Sequence, residues 1–469
     1  MINTETNSIS IRSSLGTAGD LSGRYVWGRS DEIALKDLLS GTALFGRGVE
    51  LEGRSVLIRT SNQLTTASAL IELDGLASRI ILCPPDLDAA HLPYLIETAE
   101  VDGVVSDGAL SQVPGSRQLY FSPCSRSIVP GNGHAPAVRE TEWVLLTSGT
   151  TGRPKLVAQT LSNLTGAVPK GIHSGKPIVW STFYDIRRYG GLQIFLRAVM
   201  GGHSLVLSSH EESPAQFLER AAARGVTHIS GTPSQWRTGL MSGAAHLIHP
   251  DYVRLSGEIV DQGILNQLKA TYPDARIGHA FASTEAGVAF EVNDGHAGFP
   301  AEALEQTPNV EMKVENGSLH IRSGRTAAKY LGEHAPILKR DDGFVDTGDL
   351  VEIRDGRYFF VGRRDGVINV GGLKVHPEEV EMVINRHPQV QGSLVRAKKN
   401  PVTGFVVVAD VVAKSEGELS AEDVQALRAS LTQFCRKSLA SHKIPVSFNF
   451  VPELTVGGSG KMSRPRTHA

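Results

Sequence analysis

Cysteine is scarce in this chain. Cys83, Cys124 and Cys435 lie far apart among 469 residues. An odd, scattered set builds neither a disulfide framework nor a CxxC metal site, so buried thiols in a reducing cytoplasm are expected. No apolar run reaches the roughly 18 residues needed to cross a bilayer. The opening MINTETNSISIRSS lacks the basic-then-apolar pattern of a secretion signal. A soluble, cytoplasmic protein without a membrane partner is expected. Charge of one sign is also missing: 47 Lys and Arg stand against 49 Asp and Glu, a formal net charge of -2. Binding a phosphate backbone needs a basic surface excess, so a nucleic-acid partner is not expected.

What the chain does have is length and alternation. Its 469 residues exceed one ordinary core and suit two or more domains. Residues 53–60, 79–84 and 103–106 read as buried strands, with helices over 67–74 and 91–101 between them. Strands at 143–146, 204–207 and 227–230 continue the series. A helix over 214–224 carries Phe217, Leu218, Ala221 and Ala222 at helical spacing. Such βα alternation predicts a doubly wound sheet.

From about residue 310 the pattern changes. Val310, Met312 and Val314 alternate, and Asn316-Gly317 turns the chain into Leu319 and Ile321, a hairpin signature. Asp355-Gly356 marks a second hairpin between 351–354 and 358–361. The last hundred residues read as a small α+β unit. A helix over 377–386 opens with proline and acidic residues. A strand follows at 405–412, then a helix capped by Ser420 and running to about residue 440, then a strand at 445–451. The tail GGSGKMSRPRTHA is too polar and glycine-rich to pack a core.

The segment Thr147-Ser148-Gly149-Thr150-Thr151-Gly152-Arg153-Pro154-Lys155 directly follows the strand at 143–146. Small residues let backbone N–H groups approach an anion closely, hydroxyls add donors, and Lys155 adds positive charge. That suits a polyphosphate. The spacing is not that of the P-loop. A Gly/Ser/Thr run alone is an ordinary surface loop, but proline and lysine in fixed order after a strand favour the anion site. The segment resembles the phosphate-binding signature of the adenylate-forming (AMP-binding) superfamily, which includes acyl- and aryl-CoA synthetases, peptide-synthetase adenylation domains and luciferases. Further signatures follow in the same order, so the resemblance spans residues from about 50 to 464.

The resemblance implies a role for each later motif. Phe281-Ala282-Ser283-Thr284-Glu285 is similar to the aromatic-Gly-x-Thr-Glu motif, with Ala282 where glycine is usual. Phe281 would stack on adenine, Thr284 would bond the α-phosphate, and Glu285 would help hold Mg²⁺, a hard cation that takes oxygen ligands. Thr347-Gly348-Asp349 resembles the ribose motif, where a carboxylate accepts from two hydroxyls at once. Gly362-Arg363-Arg364-Asp365 resembles the hinge, with Asp365 as pivot and Arg363 reaching ribose or phosphate. Gly371-Gly372 would approach the thiol channel. Lys461, after Gly460 and before Arg464, would bridge the substrate carboxylate and the α-phosphate. Gly257 and Glu258, in a Ser-Gly-Glu that resembles a Gly-Gly-x stretch, would lie near adenine.

The acyl pocket would be bordered by the loop at 232–234 and would include Tyr184, Gly231 and His279. Many relatives carry a histidine after the aromatic at 183–188, and none stands here. Arg187 and Arg188 would recognise a second acidic group bidentately, against the bland reading of helix-start arginines facing solvent.

The fold class implied is α/β. Residues 1–364 would form a large domain of doubly wound mixed sheets with a β-rich subdomain from about 300, hinged to a small α+β domain at 365–469. The activity implied is ATP-dependent activation of a carboxylic acid as its acyl-adenylate, then transfer to coenzyme A, with ATP and Mg²⁺ required. A carboxylate is a poor acyl donor, and positioning plus charge neutralisation is what the protein must supply. One alternative loads the acyl group onto the phosphopantetheine of an acyl carrier protein. Another, favoured by Ala282, Ser256 and the missing histidine, is a non-catalytic nucleotide-binding homologue. The compact N-terminal region points to an aryl or a short to medium acid.

Overall fold

The structure is a computed structural model. It describes residues 10–108, 118–131, 139–147, 153–169, 175–401, 403–414 and 419–454. Two mixed sheets form the larger part. One has seven strands among the described residues, with Ser55–Ile58, Arg79–Leu82, Gly103–Ser106, Tyr120–Pro123 and Glu142–Thr147 parallel. Lys155–Thr160 and Lys329–Leu331 are antiparallel at its edge. The other has eight strands. Its centre is the parallel run Tyr252–Ser256, His228–Gly231, Val179–Thr182 and Ser204–Leu207. Arg276–Ser283 pairs parallel to that run, and Gly287–Val292 antiparallel beyond it. The expected α/β class, doubly wound with mixed sheets, is borne out.

Burial explains why these segments become strands. Ser55–Ile58, Ser204–Leu207 and Tyr252–Ser256 are buried at every residue, as parallel strands covered on both faces require. The helices Gln63–Leu73 and Tyr189–Met200 pack in one core with residues of both sheets. Each is buried almost all round, which demands an apolar sequence on every side. The latter helix was not legible, because its start, Tyr-Gly-Gly, carries two poor helix formers. One of them has a packing reason: a Cβ on Gly191 would meet the Asp185 carbonyl at 2.2 Å.

A third sheet runs through Phe299–Pro300, Arg357–Arg363, Val345–Arg354, Ser318–Ser323 and Val310–Glu315. Both expected hairpins are present, with positive φ at Asn316 and Gly317 and at Asp355 and Gly356. A fourth sheet, built on Gly404–Ala413 and Val390–Asn400, packs with Pro377–Ile384 and Ala421–Arg436 around a core of its own. Ser420 caps the second helix and forms a capping box with Asp423. That helix ends at Arg436, short of residue 440, because a turn at Ser438 and Leu439 interrupts it before the next short 3₁₀ turn. Among the described residues no helix is long and apolar enough to cross a membrane. The three cysteines are buried and free.

Asp74, just past the Gln63–Leu73 helix, is buried. It accepts from Ile11 N–H at 2.8 Å and Trp143 Nε1–H at 3.0 Å. Burial outweighs these donors and lifts its carboxyl to about 6. The unfolded carboxylate titrates near ~4, so the folded state holds this proton more tightly. Its stabilising contribution is full below about pH 4 and lost as pH rises through about 6, on the order of 2 kcal/mol. Unfolding free energies of the wild type and Asp74→Asn, measured across pH 4–7, should therefore differ by an amount that changes over this window. Parallel profiles would contradict this.

Candidate active site

The strand Glu142–Thr147 ends on Thr147, and its antiparallel partner begins on Lys155, directly opposite. The edge strand Lys329–Leu331 sets Tyr330 beside Val157. These three side chains meet a carboxylate from the other sheet. Glu285 Oε1 accepts from Thr147 Oγ1 at 3.3 Å and from the Tyr330 hydroxyl at 3.2 Å, while Lys155 Nζ lies 5.3 Å from the Tyr330 ring centroid. Burial, then the Glu285 charge, push the Tyr330 phenol up, so it remains a donor.

The backbone carrying Glu285 is fixed from several sides. The buried Gln159 donates Nε2 to the Thr284 carbonyl at 2.6 Å, Ala327 N–H donates to the Glu285 carbonyl at 2.9 Å, and Ala286 N–H donates to Ser283 Oγ at 2.9 Å. Gly287 turns the chain with φ 76°, and a Cβ there would stand 2.3 Å from the Arg325 carbonyl. No other residue fits that approach.

The third sheet contributes Asp349 and Arg363, which are cross-strand partners. Partial burial works against the Arg363 guanidinium. The carboxylates of Asp349, Asp365 and Glu285 outweigh it, and Arg363 holds its proton more firmly than a free guanidinium. Arg363 Nε donates to Asp365 Oδ1 at 3.3 Å. The neighbouring Arg364 is clasped by Asp346 at 2.9 Å. Burial opposes ionisation of Asp346, but donors from Arg364, Ser318 and Gly348 N–H bring it down to about 2. Thr147, Lys155, Glu285, Tyr330, Asp349 and Arg363 thus come together from three sheets.

The other expected residues are placed as follows. The Phe281 ring lies nearly parallel to Phe360, at 5.0 Å and 8°, and to Phe290, at 5.9 Å and 17°. Ala282 packs against the core between the sheets. Gly257 adopts φ 87°, and Glu258 accepts from Ser234 N–H at 2.9 Å. Gly231 lies against Phe183, where a Cβ would stand 2.7 Å from the ring. Tyr184 is buried and donates to the Ser256 carbonyl at 2.6 Å. Gly371 and Gly372 form the left-handed turn of an exposed hairpin over 368–375. Ser148, Gly149, Thr150, Thr151, Gly152 and Lys461 lie outside the described residues.

Three expectations are corrected. Arg187 is 1% exposed and does not face a substrate. Its Nε and Nη2 bind Asp185, and its Nη1 binds the carbonyls of Thr60 and Ser61, so its fork is occupied within the fold. Arg188 pairs with Asp86. His279 bonds the His296 carbonyl at 2.9 Å. Strand alternation sets it on the face opposite Gly278 and Ala280, away from Tyr184. Two contributors escaped the sequence reading, Tyr330 and Gln159. Tyr330 sits on a strand of three residues, too short to register as one.

The donor set fits a hard divalent cation. The Glu285 carboxylate and the Thr147 hydroxyl are oxygen ligands beside a cationic lysine, an arrangement suited to an ion shared with phosphates. Among the described residues no three His, Cys, Asp or Glu side chains gather as a self-sufficient metal site.

Comparison with known proteins follows the same lines. The AMP-binding enzyme family matches residues 75–326, and the AMP-binding enzyme C-terminal domain matches residues 379–461. The 2-succinylbenzoate–CoA ligase of Listeria innocua serovar 6a is 26% identical over 443 residues, 90% of each chain. That of Salmonella typhimurium is 27% identical over 436 residues, covering 91% of this chain and 89% of the relative. In fold, the chain is similar to the o-succinylbenzoate CoA synthetase (MenE) of Bacillus subtilis in complex with its acyl-adenylate, with TM-score 0.71, 20% identity and 96% of each chain covered. It is also similar to the anthranilate CoA ligase AuaEII with anthranoyl-AMP, with TM-score 0.77 and 16% identity over 97% of this chain and 95% of that one.

Tyr330→Phe removes one of the two described donors on Glu285 Oε1. Loss of a single hydrogen bond to a charged group should weaken Mg·ATP binding about tenfold. Titration calorimetry checks this, and unchanged affinity would remove Tyr330 from the site.

Proposed function

The chain belongs to the AMP-binding enzyme family, and from that premise we propose that it activates a carboxylic acid with ATP and transfers the acyl group to coenzyme A. The observation that carries this reading is Glu285, held by Thr147 and Tyr330 beside Lys155, with Asp349 and Arg363 close by. In the first half-reaction a substrate carboxylate oxygen attacks the α-phosphorus of ATP. The bond to the bridging oxygen breaks, and pyrophosphate leaves. AMP then replaces oxide as the leaving group of the acyl carbon. In the second, the thiol sulfur attacks that carbon and AMP departs.

The side chains bind and orient. Lys155 and the loop 147–152 face the phosphates, Asp349 takes the ribose hydroxyls, and Arg363 neutralises charge between them. Thr284 bonds the α-phosphate. Glu285, aligned by two hydroxyl donors, holds Mg²⁺, which when bound offsets phosphate charge. No protein nucleophile is required. Lys461 serves adenylation. A rotation about Asp365, between residues 1–364 and 365–469, exchanges it for the Gly371-Gly372 turn during thioester formation, a gating step of the domain-closure kind.

The named relatives act on 2-succinylbenzoate, an aromatic diacid, and an acid of that kind is the reading we adopt. Pyrophosphate release over a panel of acids that includes 2-succinylbenzoate tests the activity, with free coenzyme A or a phosphopantetheinylated carrier as acceptor in separate arms. Turnover completed by free coenzyme A is expected. No pyrophosphate with any acid would overturn the reading, and completion only by the carrier would replace the acceptor. Lys461→Ala should lower adenylation by about 10²-fold or more while sparing thioester formation from supplied acyl-adenylate. Equal loss in both assays would contradict the rotation about Asp365.

A further inference from the structure

The strand Tyr252–Ser256 is buried at all five residues, and the side chain at its centre is an arginine. Arg254 is 3% exposed. Its Nε donates to Glu291 Oε2 at 3.3 Å, but its enclosed Nη2 has no acceptor among the described residues. Arg254 stands in register with Ser230 on one neighbouring strand and Gly278 on the other. Ser230 Oγ, beside the Tyr184 phenol, is also buried without a hydrogen bond of good geometry. Two unsatisfied donors therefore lie side by side in the core, where each costs free energy until an acceptor arrives.

Charge tells the same story. Arg197, from the Tyr189–Met200 helix, reaches the same region. Burial, and then the charge of Arg254, press its guanidinium down to about 10. The counter-charge is Glu291, which also accepts from the Tyr252 hydroxyl at 2.6 Å and Asn293 Nδ2 at 3.2 Å. Two buried guanidinium groups share this one carboxylate. A dry positive excess of this kind is costly unless an anion joins it.

Space is available next to it. Between Arg254 and the Phe281–Glu285 segment, this face of the strands carries only Ser256, Ala280 and Ala282, with Ser230 and Gly278 beside the arginine. Glu291 is paired with Ala280, one residue before Phe281. The cation cluster thus lies at the inner end of a row of small side chains that leads to the adenylating segment.

We propose that Arg254 and Ser230 seat a second carboxylate of the substrate, and that the acids this enzyme activates are dicarboxylic. The inference rests on the acid-activating reading above and adds the substrate class. Arg254 stands two strand residues, roughly 7 Å, below Ser256, so the two carboxylates of the substrate are several carbons apart. Arg187, with its donors filled, is excluded from this task. Arg254, with one nitrogen unfilled, is suited to it.

The test compares kcat/KM for acids matched in skeleton: 2-succinylbenzoate against 3-benzoylpropanoate, and suberate against octanoate. The wild type should prefer the diacid of at least one pair by about tenfold or more, the scale of a charge-assisted hydrogen-bonded contact. Arg254→Leu and Ser230→Ala should each shrink that ratio, chiefly by raising KM for the diacid. Arg254→Lys, which keeps the charge but loses the fork, should fall between. The serine variant removes one oxygen, so its ratio remains readable if the leucine variant fails to fold. Turnover that ignores the second carboxylate, or a ratio unmoved in the variants, would overturn this inference alone. Absence of turnover with every acid would overturn the activity, and this inference with it.

Discussion

Everything at the candidate site depends on one carboxylate. Glu285 issues from the end of a buried strand in one sheet and is met by hydroxyls from the edge of the other. A carboxylate in a cleft stays where its donors hold it, and here the donors belong to different layers of the fold. Gln159 and Ala327 anchor the adjoining carbonyls, so the position is set by backbone as well as by side chain. The two large sheets serve as a frame that brings oxygens and cations from distant sequence positions to one place.

The buried arginines illustrate how satisfaction decides role. Arg187 and Arg254 are both nearly inaccessible. Arg187 has an aspartate two residues before it and two carbonyls within reach, and it ties the Asp185 loop to the end of the Ser55–Ile58 strand. Its charge is spent on structure. Arg254 has half of one carboxylate and an open nitrogen. The same residue type, at the same burial, is a strut in one setting and a receptor in the other.

Much of the frame was legible in the sequence because it obeys local rules. The runs at 55–58, 79–82 and 204–207 are apolar throughout, and the Asn-Gly and Asp-Gly turns fix two hairpins. Thr147, Lys155, Glu285, Asp349 and Arg363 could be named from motif order, and the structure gathers them. What escaped depended on tertiary context. Tyr330 matters only because its three-residue strand happens to pair with Lys155–Thr160. Arg187 looked available because sequence spacing does not reveal which partners fill a guanidinium. His279 was assigned to the pocket, but strand alternation turns it to the other face. Arg254 reads as one polar residue in a strand until its neighbours across the sheet are known.

The central claim is that segments from three sheets enclose one nucleotide. A crystal structure of the protein with ATP and Mg²⁺ examines it directly. The account predicts the metal on Glu285, the ribose hydroxyls on Asp349 and the phosphates facing Lys155. A nucleotide bound elsewhere, with Glu285 still engaged only by Thr147 and Tyr330, would contradict it.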